Sequence, residues 1–179
     1  VSSVLSEINP KMLPQVRTFN VDSGQIELVV QVANNLHYKG GMWERIRIGT
    51  QEQIIREREN SIIFTMFLAG AVFILFIYHL WIFFFRRNEK AALWFGILCF
   101  FVLIRALMIN DRIIYYFFPG FSLNIGYRIE YLTIFSLLPL LFALYFFYLF
   151  EISISKPALK IISGISFIEV IIILFFLTQ

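Results

Sequence analysis

The chain has 179 residues, 59% of them hydrophobic and 18% aromatic, with a formal charge of +3 and a mean hydropathy of +0.78. Soluble globular domains are only about 45–50% apolar, so the excess has to face lipid. The charge speaks against nucleic-acid binding: residues 1–60 balance 7 Lys/Arg with 7 Asp/Glu, and the surplus of 8 over 5 lies in residues 61–179, without a basic stripe bearing exposed aromatics.

Residues 25–33 alternate, with Ile26, Leu28, Val30 and Val32 on one face, as a half-buried strand does. Residues 34–41 supply turn chemistry, including the Gly40-Gly41 pair, and His37 reads as a solvated turn residue. A second alternating run covers residues 43–48 and stops at Gly49. Two strands cannot bury a sheet face alone. Residues 1–50 are therefore expected to hold the last hairpin of a larger β-domain, cut at its front. The opening Val1-Ser2-Ser3 leads into no basic n-region and no apolar h-region.

Residues 51–60 form a charged, helix-prone lead-in, with Asn60 or Ser61 expected to cap the helix that follows. Residues 61–85 contain no Asp, Glu, Lys or Arg. A helix of that length spans roughly 37 Å, more than a ~30 Å hydrocarbon core requires. A second span is expected at residues 91–109, charge-free until Arg105. Residues 113–127, rich in Tyr and Phe and broken by Pro119-Gly120, suit an interfacial or re-entrant segment. The third span is read at residues 128–150, with a kink at Pro139. A short loop at 151–160 precedes the fourth, residues 161–177. The fold class expected is predominantly α: a polytopic membrane bundle, 61–179, holding four spans of a larger set.

The connections set the orientation. Arg86, Arg87 and Lys90 follow the first span, Lys156 and Lys160 follow the third, and Asp111 and Arg112 nearly balance between the second and third. The positive-inside bias puts the first and third connections in the cytoplasm and residues 1–60 outside. Four spans then return the C-terminus to the outside, so a fragment is expected at the back as well.

Ionisable groups inside spans are costly and are the first candidates for function. Arg105 lies near the outer end of the second span, within snorkelling reach of the interface, and Glu130 opens the third from the same side. If those spans are neighbours the two residues meet, as a structural bridge or as part of a ligand-responsive latch. Glu169 sits near the middle of the fourth span and is expected to face the bundle interior. His79, in the first span, reads as a neutral imidazole bonded to a neighbouring helix rather than as a proton switch. The one cysteine, Cys99, forms no intrachain disulfide and reads as a packing or lipid-facing residue. No catalytic motif is present, no cofactor or metal is expected, and no span has a lysine for a retinal Schiff base.

Two stretches together resemble a known family. The run Leu28-Val29-Val30-Gln31-Val32-Ala33-Asn34, then Lys39-Gly40-Gly41-Met42-Trp43 and Ile48-Gly49, is similar to the closing hairpin of an extracytoplasmic sandwich. Gly70, Tyr78-His79-Leu80 and Phe84-Phe85-Arg86-Arg87, followed by Ala91-Ala92-Leu93-Trp94-Phe95-Gly96, look like the first two membrane helices of the same receptors. These are the bacterial seven-transmembrane receptors with diverse intracellular signalling modules. The resemblance implies an outer jelly-roll domain for carbohydrate-like ligands, seven helices and a cytoplasmic output module, here represented by the sandwich tail and four helices. The expected function is a membrane receptor that senses an extracytoplasmic ligand and signals to a module absent from this chain, with lipids as its other partners. A transporter subunit or accessory membrane protein is the alternative; no internal repeat relates residues 61–109 to 128–177.

Overall fold

Thr50 starts the helical part. Its hydroxyl accepts from the backbone N–H of Gln53, and the Gln53 side chain accepts from the Thr50 N–H, a reciprocal capping box. The helix so begun, α1 (Gln51–Phe85), runs through the charged lead-in and the apolar span without a break. The cap therefore lies at Thr50, not at Asn60 or Ser61. Nothing in residues 51–60 breaks a helix, and Glu52 and Arg56 pair one turn apart at 3.3 Å. The computed structural model describes residues 16–20, 29, 46–109, 112–118, 120–150 and 156–176.

A tight turn, with the N–H of Glu89 donating to the carbonyl of Arg86, returns the chain into α2 (Lys90–Met108). A single turn, α3 (Ile114–Phe117), follows. Next comes one long span in three parts: α4 (Leu123–Tyr131), a π-helical turn (Leu132–Leu137) and α5 (Leu138–Phe150). α6 (Lys156–Phe176) ends the described residues. Four of these helices are long and apolar enough to cross a membrane, over Gln51–Phe85, Lys90–Met108, Ile125–Phe150 and Pro157–Phe175. Their broad exposed apolar faces are what a lipid environment requires.

The third span thus starts before residue 128, and the aromatic segment ahead of it is a single helical turn. α6 begins at Lys156, inside the stretch read as loop, because Pro157 is well placed in a first helical turn, where its missing N–H costs nothing. The expected β-hairpin falls almost wholly outside the described residues. Among the described residues there is no strand; Ile46 and Ile48 lie in irregular chain.

The spans stand in a row. α1 packs on α2; α2 packs on the α4–π–α5 span; α6 packs on the far side of that span. Burial follows this order. In α1 only Ala69 is buried, whereas the central pair buries Gly96, Leu98, Cys99 and Met108 on α2 and Thr133, Ser136, Leu141 and Ala143 on the third span. Cys99 is a packing residue.

The π turn sits immediately before Pro139. Proline has no N–H for the i−4 carbonyl of Phe135, and its ring would strike that carbonyl in a regular α-helix. The wider turn moves the carbonyl away: Leu138 donates five residues back, to Thr133. At the position where a kink was expected, the structure shows this local widening of the helix.

Candidate functional site

A grouping of polar and aromatic side chains lies at the end of the bundle where α1 begins. Arg58, on the second turn of α1, donates to the phenol oxygen of Tyr116 in α3, and its guanidinium lies 5.8 Å from the centre of that ring. Arg112, at φ 51°, stands 5.9 Å over the ring of Tyr127 in α4. A non-glycine residue at positive φ is uncommon and strained, and such residues concentrate at functional sites.

Tyr115 is buried between these groups, edge-on to Phe121 at 5.7 Å. Its hydroxyl is pressed against Gly126 so closely that a Cβ there would collide with it. Burial pushes the Tyr115 phenol above the ordinary tyrosine value, with Arg112 pulling the other way. Glycine at 126 is what lets α3 fold back onto α4.

Arg105 and Glu130 meet at the same end. The guanidinium donates to the backbone carbonyl of Glu130 at 3.3 Å, and the Glu130 carboxylate is not in an ion pair with it. A carbonyl bond takes a donor of a half-buried arginine without the desolvation cost of a second charge. Arg128, two residues earlier on α4, has its Nε buried without a hydrogen-bond partner. Outside the bundle, Arg47 pairs with Glu57 at 2.8 Å, both well exposed, a contact of small energetic weight.

A second polar contact is buried deeper. Ser136, in the π turn, donates to the backbone carbonyl of Ser166 in α6 at 2.9 Å, and both residues are buried. Thr133, also buried, returns its hydroxyl to the carbonyl of Ile129. Glu169 is half-buried three residues after Ser166, on the stripe that also buries Ile173, so it belongs to the face of α6 turned toward the π turn. His79 donates from Nδ1 to the carbonyl of Leu75 in its own helix at 2.8 Å. Its ring lies 4.4 Å from Phe95 of α2, so the neighbouring helix supplies packing and not the hydrogen bond.

At the opposite end lie the residues read as topology determinants. Arg86, Arg87 and Lys90 are exposed around the α1–α2 turn, and Lys160 is exposed on the first turns of α6. Lys156 begins α6. Among the described residues no group of three or more His, Cys, Asp and Glu is placed to hold a metal ion.

The sequence alone points to Arg105, Glu130 and Glu169 but not to Ser136, Ser166, Arg58 or the Tyr115–Gly126 contact. Small and hydroxyl residues within spans were the available signal for the first two and for Gly126. Arg58 gave none, because one arginine in a charged lead-in looks like its neighbours.

A family model described as 7TM diverse intracellular signalling matches residues 61–179. No curated protein and no solved structure matches the chain.

Proposed function

The chain belongs to the 7TM diverse intracellular signalling family, and from that premise we propose that it is part of a bacterial sensory receptor of the cytoplasmic membrane. In this reading residues 1–60 lie outside and belong with a ligand-binding β-sandwich. An extracytoplasmic ligand, a small molecule or a carbohydrate, shifts the helical bundle, and the shift reaches a cytoplasmic output module. A receptor of this kind needs ligand affinity that differs between two bundle arrangements.

The observation that supports the reading most is α1. One uninterrupted helix of 35 residues is about 52 Å long, so it crosses the hydrocarbon core and still projects beyond it. Its projecting turns hold Arg58 on Tyr116, and below them it packs on α2 alone among the described helices. A rod with a single packing partner has one helix interface to rearrange when it tilts or slides. Arg105, Glu130 and Glu169 are the proposed points where the two arrangements differ. Arg86, Arg87, Lys90, Lys156 and Lys160 are the proposed cytoplasmic anchors.

Reading the encoding DNA on both sides of this segment tests the proposal. Three further spans and a catalytic or kinase module in frame are expected. A stop directly after Gln179, with an inverted-repeat partner encoded beside it, would instead indicate a transporter subunit.

A further inference from the structure

The connection between α1 and α2 is built from cations set against aromatic rings. The Arg87 guanidinium lies 5.5 Å from the ring centre of Phe83 and 5.2 Å from that of Phe84. The Lys90 ammonium lies 5.6 Å from the ring centre of Tyr148, near the end of α5. Tyr148 in turn stacks on Trp94, one turn beyond Lys90, at 6.5 Å and 12°. Among the described residues Arg86, Arg87 and Lys90 make no ion pair with a carboxylate, although Glu89 stands among them. A depression opens beside them, lined by Asn88, Glu89, Lys90, Ala91, Phe147 and Tyr148.

The end of α1 that leads into this turn is greasy and aromatic. Trp81, Phe84 and Phe85 are 62%, 61% and 68% exposed at the end of α1. Cations that have no ion pair among the described residues, beside the exposed rings at the end of α1, match a molecule with an anionic head and an apolar tail. A free anion would use only the cations. Basic pockets between spans at a membrane face have this chemistry.

We propose that the α1–α2 turn and the facing end of α5 form a docking site for an anionic phospholipid. Arg87 and Lys90 hold the phosphate, Tyr148 fixes the Lys90 ammonium at the rim, and the acyl chains lie along Trp81, Phe84 and Phe85. Arg86 adds long-range attraction, and Glu89 opposes it. The site joins the first and third spans through lipid, where the row otherwise leaves them separated by α2. It depends on the membrane reading and not on the receptor reading.

The test uses the full chain in nanodiscs of phosphatidylcholine alone or mixed with phosphatidylglycerol, with native mass spectrometry counting the lipid that stays bound. Preferential retention of phosphatidylglycerol is expected. Each cation near a membrane surface contributes about fivefold in affinity, so an Arg87→Gln/Lys90→Gln double variant should lose about 25-fold. Glu89→Gln should gain a few fold. An Arg47→Gln/Arg56→Gln variant alters net charge equally at the other end and should retain the lipid as wild type does; equal loss there would overturn the proposal. So would protection from heat by inorganic phosphate in detergent equal to that by phosphatidylglycerol, which would identify a soluble anion as the ligand. Circular dichroism on each variant separates loss of the site from loss of the fold.

Discussion

Among the described glycines, Gly126 has the closest neighbour, the Tyr115 hydroxyl. Adding a Cβ at 126 drives it into a buried phenol, and overpacking of that kind costs about 1–3 kcal/mol. Gly126→Ala should therefore lower the unfolding midpoint in detergent, and much of the loss should return in a Gly126→Ala/Tyr115→Phe double variant, where the colliding oxygen is gone. The same phenol gives an alkaline signature. Burial raises its proton affinity in the folded state. Its contribution to stability is thus complete below the ordinary tyrosine value near 10 and is lost as pH rises beyond it. A Tyr115→Phe chain should show a flatter stability profile over that alkaline window. Ser136→Ala removes the bond to the Ser166 carbonyl. The expected cost is about 0.6 kcal/mol, the scale of interhelical hydrogen bonds in membranes, measured by the same unfolding assay.

At the scale of elements, α1 and the π turn behave differently under change. Residues 51–60 are helical because Thr50 caps them and the span below propagates into them. Arg58→Ala should cost no more than about 1 kcal/mol globally. It should nevertheless speed amide exchange over residues 51–60, because the tie to Tyr116 is lost while the cap and the span remain. The π turn behaves as an extra residue accommodated in an α-helix. Deleting Ile134, which is 40% exposed, together with a Pro139→Ala change that removes the ring's clash with the Phe135 carbonyl, should close Leu132–Leu137 to a regular α turn and leave the faces of α4 and α5 aligned. Deleting Leu140, beyond the bulge, rotates one half of the span against the other by about 100°. Size-exclusion profiles of the two deletions should separate them: monodisperse for the first, aggregated for the second.

For the whole molecule the prediction is topological. α1 begins, and α3 lies, at one end of the row, tied together by Arg58 and Tyr116. The α1–α2 turn and the end of α5 lie together at the other, tied by Lys90 and Tyr148. Under the proposed orientation an alkaline phosphatase fusion at Lys90 is inactive and one at Gly120 is active. Reversed activities would turn the molecule over and with it the assignment of the outer face. The row also explains why so much apolar surface stays open: each span touches only its neighbours in the row, so lipid or further helices must cover the rest.

The existence of the spans was legible from residues alone, because a bilayer imposes a length and a polarity on any crossing helix, and residues 61–85 satisfy both. The position of Arg105 near one end of its span was legible for the same reason. Helix starts were read less well. A cap such as Thr50 is a local hydrogen-bond geometry, while a charge-free run marks only where lipid begins. What only the tertiary structure decided is who meets whom. Arg105 reaches the carbonyl of Glu130 and not its carboxylate, His79 turns to its own helix, and Ser136 bonds Ser166 across a π turn. Those choices depend on the rotation of each helix about its axis. Hydrophobicity that is nearly uniform around a membrane helix does not encode that rotation, and packing between small, aromatic and hydroxyl side chains does.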